Sequence, residues 1–356
     1  EATATGSSYG LAAVLSQRME DNSGDGVADL VVAGSDTYAG SSGLENLAVY
    51  LGPVSGALTP ADADLTLTGM ATSNIPRLEA SLDFDGDGVS EIVVAEPQTS
   101  KIIVLNSYNT TGALQASDAD STITGSSDGL GNALGGADVD GDGYDDLVTC
   151  ALWDNNYTGA AYLIHGVDLI GVTDSIGNVA AVRFVGAAED DLYCYGAHPQ
   201  VADMNGDGAT DLMIGTPQIA TVYLYADLPS LTGIVDTLAA TEQYTSGTTN
   251  AFGWAMEQAD VDGDGLPELL IGEPDTGFYS ASPVSYAWIF TDVGNGPGQT
   301  TADALFSFTA ATGADNLGYD VLVRDLDGNG TWEVPIAAPG DDGSYSYTGR
   351  LWIPEL

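Results

Sequence analysis

DVDGDGYDDL, residues 138–147, places Asp138, Asp140, Asp142, Asp145 and Asp146 in one short stretch. That much like charge in a single turn repels itself and destabilises a fold unless something cancels it. The stretch recurs as DNSGDGVADL from Asp21, DFDGDGVSEI from Asp83, DMNGDGATDL from Asp203, DVDGDGLPEL from Asp260 and DLDGNGTWEV from Asp325. Successive starts lie 62, 55, 65, 57 and 65 residues apart, so one supersecondary unit repeats six times.

Every copy has the same surroundings. An apolar run follows directly: DLVVAG, EIVVAEP, DLVTCAL, DLMIGTP, ELLIGEP and EVPIAAP. Short β-branched runs bounded by Gly and Pro are strands. After a variable loop comes a second strand: LAVYLG, KIIVLN, AAYLIHG, TVYLYAD, YAWIFTD and GRLWIPEL. A third strand of polar alternation follows, as in LTLTG, STITG, VRFVG and LFSFTAATG, with an ill-bounded counterpart within residues 236–247. A lead-in segment marked by Tyr9, Leu130, Tyr195, Phe252 or Leu317, each followed by Gly, returns the chain to the next loop.

Four strands per repeat predict an all-β fold, a β-propeller of six four-stranded blades, with seven blades as the alternative. Residues 2–6, ATATG, match the outer-strand type, whereas the chain ends just after an inner-type strand. The N-terminal strand is therefore expected to pair with the C-terminal blade and close the ring, removing an exposed edge. Residues 1–356 then form a single propeller domain. A β-solenoid is the competing architecture, but its repeats are usually shorter.

Carboxylates at positions 1, 3 and 5 project inward when a loop curls, and glycine permits the curl. The carbonyl of position 7 and the side chain of position 9 complete a hard-oxygen shell. The first set is Asp21, Ser23, Asp25, Val27 and Asp29; the second is Asp83, Asp85, Asp87, Val89 and Glu91. The third is Asp138, Asp140, Asp142, Tyr144 and Asp146; the fourth is Asp203, Asn205, Asp207, Ala209 and Asp211. The fifth is Asp260, Asp262, Asp264, Leu266 and Glu268; the sixth is Asp325, Asp327, Asn329, Thr331 and Glu333. Loops one and six are the weakest, because Ser23 and Asn329 replace carboxylates. Asp145, at position 8, falls outside the pattern and is expected to be a solvated surface charge.

Calcium suits such a shell, since it accepts about six to eight oxygens in flexible geometry, and up to six ions are expected. Soft metals would need Cys or His, which these loops lack. An EF-hand would need Glu at position 12, where Val32, Val94, Thr149, Ile214, Ile271 and Ile336 stand instead. At millimolar calcium each extracellular-type site adds on the order of 1 kcal/mol, so the ions read as structural staples. Sub-micromolar calcium would leave the sites empty, which places the protein outside the cytoplasm.

Composition agrees. Six Lys and Arg stand against 52 Asp and Glu, for a net charge of −46. That field repels nucleic acid and anionic membranes and favours cations, basic partners or a salty medium. No apolar stretch is long enough to span a bilayer, so no membrane insertion is expected. Glu1 opens the chain without Met or a basic leader, which reads as a processed or excised segment. Cys150 and Cys194 are either one disulfide or two buried thiols.

FGWAMEQADVDGDGLPELLIGEP, residues 252–274, resembles the FG-GAP repeat of integrin α-subunit propellers and their bacterial relatives, and the likeness runs along essentially the whole chain. The second copy departs from it, with NIPRLEASLDFDGDG lacking the FG pair. DADLTLTG at Asp62 and DADSTITG at Asp118 are similar to secreted bacterial members. The resemblance implies a calcium-stabilised extracellular propeller for adhesion or display, and integrin propellers have seven blades. It also implies that partners meet the face opposite the calcium loops. That face would carry Tyr38, Trp153, Tyr157, Phe278, Tyr279, Tyr345 and Tyr347, with Asp154, Asp275, Asp341 and Asp342 among them. Such aromatics suit an extracellular protein or glycan partner, or simply cover strand ends. The domain is expected to be monomeric.

Catalytic machinery is hard to find. His165 and His198 are the only imidazoles, and no G-x-S-x-G, phosphate loop or H-E-x-x-H appears. Two further readings stay open: a calcium-dependent polysaccharide lyase or hydrolase, and an inert spacer of a larger surface protein.

Overall fold

A computed structural model describes residues 2–4, 17–33, 45–58, 60–70, 77–106, 112–188, 192, 194, 198–248, 250–275, 284–294, 296, 298–310, 316–325, 331–339 and 350–354. They form two compact units, Glu1–Ala151 with Tyr162–Ala181, and Leu152–Ala161 with Val182–Leu356.

In the first unit, Gln17–Glu20, Asp29–Ala33, Glu45–Tyr50 and Leu65–Thr68 pair in that order as an antiparallel meander. Arg77–Leu82, Glu91–Glu96, Lys101–Leu105 and Ser121–Thr124 repeat it. Leu130–Ala137 and Asp146–Ala151 open a third. In the second unit, Gln200–Ala202, Asp211–Thr216, Thr221–Tyr225 and Glu242–Thr245 form one meander. Met256–Ala259, Glu268–Glu273, Tyr286–Phe290 and Phe306–Thr309 form the next. Asp320–Val321, Ile336–Ala338 and Arg350–Trp352 make a three-stranded last sheet. Each acidic loop joins the first strand of its sheet to the second. The ill-bounded third strand of the sequence is Glu242–Thr245.

Burial on both faces explains the continuous apolar character of the strands that follow loops two to five. Glu91–Glu96, Asp146–Ala151, Asp211–Thr216 and Glu268–Glu273 are buried at every residue. Val31, Val49 and Leu67 of one sheet share a core with Leu78, Val94 and Ile103 of the next. Met213, Val222 and Tyr244 do the same with Leu269, Ile271 and Phe290, and Leu270 and Ile289 with Val321 and Ile336.

The expected four strands per sheet require a correction, because the outer strands carry a fifth. Gly112–Gln115 runs parallel to Leu65–Thr68, Thr173–Ser175 to Ser121–Thr124, Gly233–Asp236 to Val182–Val185, and Gln299–Thr300 to Glu242–Thr245. Each of these short strands comes from the following repeat. They cover an edge that would otherwise present unpaired amides. The D-A-D motif is part of the same device. Asp64 Oδ2 accepts the N–H of Leu51 at 2.9 Å and Asp120 Oδ2 that of Asn106 at 2.7 Å, tying each outer strand to the end of its neighbour. Ala2–Ala4, expected on the C-terminal blade, pairs in parallel with Gly56–Leu58.

Gly131 and Gly253 of the lead-in pairs have φ of +89° and +86°. A Cβ on Gly131 would stand 2.4 Å from that of Ala95, so both backbone and space demand glycine. Tyr9 and Tyr195 lie outside the described residues. Cys150 and Cys194 are both disulfide-bonded, which decides between the two readings of the cysteines.

Candidate metal centre

Among the described residues, acidic loops one to five share one local geometry. Asp83 at position 1 accepts N–H groups from Gly86 (2.7 Å), Asp87 (3.2 Å) and Gly88 (2.8 Å). Asp138 takes those of Gly141 (2.8 Å), Asp142 (3.1 Å) and Gly143 (3.0 Å), and Asp203 those of Gly206 (2.7 Å), Asp207 (3.1 Å) and Gly208 (2.9 Å). Asp260 accepts from Gly263 (2.7 Å) and Gly265 (3.0 Å), and Asp21 from Asp25 (3.0 Å) and Gly26 (2.7 Å). A curl this tight needs left-handed residues, and Gly86 and Gly88 supply them with φ of +71° and +87°.

Position 9 closes the loop from the strand side. Its carboxylate accepts the N–H of position 2: Glu91 from Phe84 (2.6 Å), Asp146 from Val139 (2.9 Å), Asp211 from Met204 (3.1 Å) and Glu268 from Val261 (2.8 Å). The shorter aspartates also reach the second strand. Asp146 Oδ1 accepts the N–H of Gly166 at 2.9 Å, Asp211 Oδ1 that of Asp227 at 2.9 Å and Asp29 Oδ1 that of Gly52 at 2.7 Å.

Among the described residues, three loops bring one carboxylate oxygen per residue to within 4.8 Å of one another. These groups are Asp83, Asp85, Asp87 and Glu91; Asp138, Asp140 and Asp146; and Asp260, Asp262 and Glu268. Such crowding disfavours ionisation. Burial pushes Glu91 up to about 8, and Asp85, Asp83 and Asp87 add to the push against the Phe84 N–H. Burial likewise raises Asp146, Asp211 and Glu268, each opposed by its backbone donors.

Asp142 and Asp264 stand outside the converging groups and accept the N–H of Tyr144 and Leu266, at 2.9 and 2.8 Å. In loop four Asn205 Oδ1 accepts the N–H of Asp207 at 2.9 Å, and Asp207 Oδ1 that of Ala209 at 2.9 Å. In loop one Asp25 Oδ1 accepts from Val27 at 2.8 Å, and Ser23 lies beside Asp21. In loop six Asp325, Thr331 and Glu333 are described, with Glu333 buried, whereas Asp327 and Asn329 lie outside the described residues. The donors in these groups are oxygen throughout. Asp29 Oδ2, at position 9 of loop one, is buried without a hydrogen-bond partner. Both features fit a hard divalent cation.

Asp145 is not the solvated charge expected of it. Its Oδ2 accepts the N–H of Asp83 at 2.9 Å, and its own N–H donates to Asp83 O at 2.8 Å. Burial raises its pKa. His165 Nδ1 lies 3.3 Å from Asp146 Oδ1 and 3.6 Å from Asp140 Oδ2, on the rim of loop three. Sequence spacing pointed to neither contact, since both partners come from outside the local motif.

Of the aromatic set on the second loop cluster, Trp153 and Tyr157 are exposed, one just before and one at the end of the short helix Asp154–Tyr157. Asp154 accepts a 2.9 Å bond from Arg183, and the N–H of Asp275 donates to Ser285 Oγ at 3.0 Å. Tyr38, Phe278, Tyr279, Tyr345, Tyr347, Asp341 and Asp342 lie outside the described residues. Two buried carboxylates are fully engaged in the second unit. Glu242 accepts from Tyr244 Oη (2.8 Å) and Gly296 N–H (2.6 Å); Glu273 accepts from Ser246 Oγ (2.7 Å), Trp288 Nε1 (2.6 Å) and Thr248 Oγ1.

Residues 83–149 and 203–271 match the FG-GAP-like repeat, and both spans begin at position 1 of an acidic loop. Integrin alpha pat-2 of Caenorhabditis briggsae is 27% identical over 212 residues, 54% of this chain and 17% of that protein. Integrin alpha-PS2 of Drosophila melanogaster is 27% identical over 218 residues, 53% of this chain and 14% of its own length. The phosphatidylinositol-glycan-specific phospholipase D of Rattus norvegicus is 29% identical over 150 residues, 39% of this chain and 18% of the enzyme. The chain thus spans less than a fifth of the length of these relatives. The chain carries FG-GAP-like repeats in both matched spans and is similar to integrin α-subunits over about half its length.

Proposed function

We propose that this chain is a calcium-binding extracellular interaction module, with calcium as a structural staple of each repeat. The convergence of Asp83, Asp85, Asp87 and Glu91, with Glu91 pushed up to about 8, carries the metal part of this reading. An all-oxygen set of that kind is stabilised by a hard dication that offsets the repulsion of its carboxylates. When bound, calcium supplies positive charge; this chain's residues supply the shell. In loops two, three and five, positions 1, 3 and 9 hold the ion, joined in loop two by Asp87.

The antiparallel meanders support a propeller-like fold, and the six repeats support six blades. The disulfide-bonded Cys150 and Cys194 favour an oxidising compartment, hence secretion or display at the cell surface. No described helix is long and apolar enough to cross a membrane. The integrin relatives support adhesion to an extracellular protein or glycan, with Trp153 and Tyr157 as exposed anchors. The phospholipase D relatives favour a second reading, in which the module accompanies an enzymatic domain.

Equilibrium dialysis against calcium after exhaustive chelation tests the metal reading. Three or more ions per chain are expected; none would overturn it. Glycan and protein arrays probed with and without calcium test the interaction reading, which predicts a calcium-dependent ligand. Calcium-dependent binding of the chain to a separately produced enzymatic domain, with no array ligand, would favour the second reading instead.

A further inference from the structure

The geometry points to Asp145 as a coupling residue that makes the cation loops of repeats two and three bind cooperatively. This rests on the calcium reading above. Asp145 sits in loop three between Tyr144 and Asp146, the carbonyl and carboxylate positions of that loop. It is bonded to Asp83, the first residue of loop two, in both directions: Oδ2 to the Asp83 N–H at 2.9 Å, and its own N–H to Asp83 O at 2.8 Å. Asp83 is the residue whose carboxylate gathers the N–H groups of Gly86, Asp87 and Gly88. One peptide segment therefore holds ligand positions of one loop and the organising residue of the other.

A second contact runs in the same direction. The Tyr144 ring lies over Gly86, where a Cβ would meet Cε1 at 3.1 Å. Tyr144 belongs to loop three, and Gly86 is the turn glycine of loop two. Position 8 elsewhere is Ala28, Ser90, Thr210, Pro267 or Trp332, none of which carries a carboxylate. Between loops one and two the counterpart contacts are neutral: Asn22 Nδ2 donates to Ser90 O at 3.0 Å, and Val89 lies over Gly24, where a Cβ would meet its Cγ2 at 2.9 Å. What sets the junction of loops two and three apart is the clamp made by the position-8 carboxylate, bonded to the first residue of the neighbouring loop.

Two dications in neighbouring loops repel, so independent loops would bind with equal or falling affinity. The clamp works the other way. A cation that fixes the Tyr144 carbonyl and the Asp146 carboxylate also fixes the peptide between them, and with it the backbone of Asp83. Loop two then loses less conformational freedom when it fills. By linkage, filling loop two favours loop three by the same factor. Asp145 acts through Asp83 and is a positioning residue, not a ligand.

Calcium titration of the full chain, followed by amide resonances, tests this. The Gly88 N–H, bonded to Asp83 Oδ2, reads loop two, and the Gly143 N–H, bonded to Asp138 Oδ2, reads loop three. Disabling loop three with Asp140→Ala is expected to weaken the loop-two midpoint about five-fold or more, the lower end of typical coupling. In an Asp145→Ala background the same Asp140→Ala change is expected to leave that midpoint unmoved. Asp145→Asn keeps an oxygen acceptor for the Asp83 N–H and should retain the coupling, which separates the clamp from a folding defect. A loop-two midpoint indifferent to Asp140→Ala in the otherwise native chain would overturn the coupling while leaving calcium binding intact. Calcium-insensitive Gly88 and Gly143 resonances would overturn both.

Discussion

Glu91 Oε2 accepts the N–H of Phe84 at 2.6 Å, so the ninth residue of loop two closes onto the second. Phe84 is fully buried, and its amide has no water to fall back on. The same closure recurs in loops three, four and five, so the position-9 carboxylate is the lock between loop and strand as well as the proposed cation ligand. These two roles can be separated by substitution.

Glu91→Gln keeps an acceptor for Phe84 but removes the charge. The folded-state pKa of Glu91 is raised from 4.5 to about 8, so its stabilising contribution is present below about 4.5 and lost as pH rises through 8. At pH 7 in chelator, Glu91→Gln should therefore melt at or above the native temperature; in calcium it should melt below it. Glu91→Ala leaves the Phe84 amide unsatisfied and is expected to cost about 1–3 kcal/mol in either condition. Denaturant titrations with calcium and with chelator check the crossing.

Calcium binding near neutral pH should release protons, because Glu91 is largely protonated in the empty site below about 8 and must ionise to ligate. Calorimetric titration at pH 7 in buffers of different ionisation heat should give different apparent enthalpies. The difference should shrink in Glu91→Gln. Affinity should fall as pH is lowered.

Gly86 and Gly88 isolate a packing contact from backbone strain. Both have positive φ, +71° and +87°, so an alanine at either pays roughly 1–2 kcal/mol for left-handed geometry. A Cβ on Gly88 meets nothing within 4 Å, whereas one on Gly86 presses on Tyr144 at 3.1 Å. Gly86→Ala is expected to destabilise the chain more than Gly88→Ala, as read from their unfolding midpoints.

Glu273 offers a pH test away from the loops. It is fully buried, and burial raises its pKa against the hydroxyls of Thr248 and Ser246 and the indole of Trp288. Its contribution is therefore full below the ordinary carboxylate range and declines as pH rises through the raised value. Glu273→Gln does not titrate. The stability difference between variant and native chain should move in the variant's favour as pH increases from 4.5 upward.

Much of the fold was legible because it repeats. Six loops in register fix the positions of Glu91–Glu96 and its counterparts, whose continuous apolar character follows from burial on both faces. The parallel fifth strands were not legible. Gly56–Leu58 and Thr173–Ser175 are three residues long, too short for any periodicity to appear. Glu242–Thr245 was blurred for a related reason: Glu242 faces inward to meet Tyr244 and Gly296, so a charged residue occupies a core position. Asp145 was misplaced because its partner, Asp83, lies 62 residues upstream, beyond any local pattern.

The most direct measurement is the melting temperature of the full chain in millimolar calcium and again after chelation. Several staples, each adding on the order of 1 kcal/mol, should raise the midpoint by several degrees and lose that gain on chelation. A midpoint that chelation leaves unmoved would contradict the assignment of the acidic loops as calcium staples.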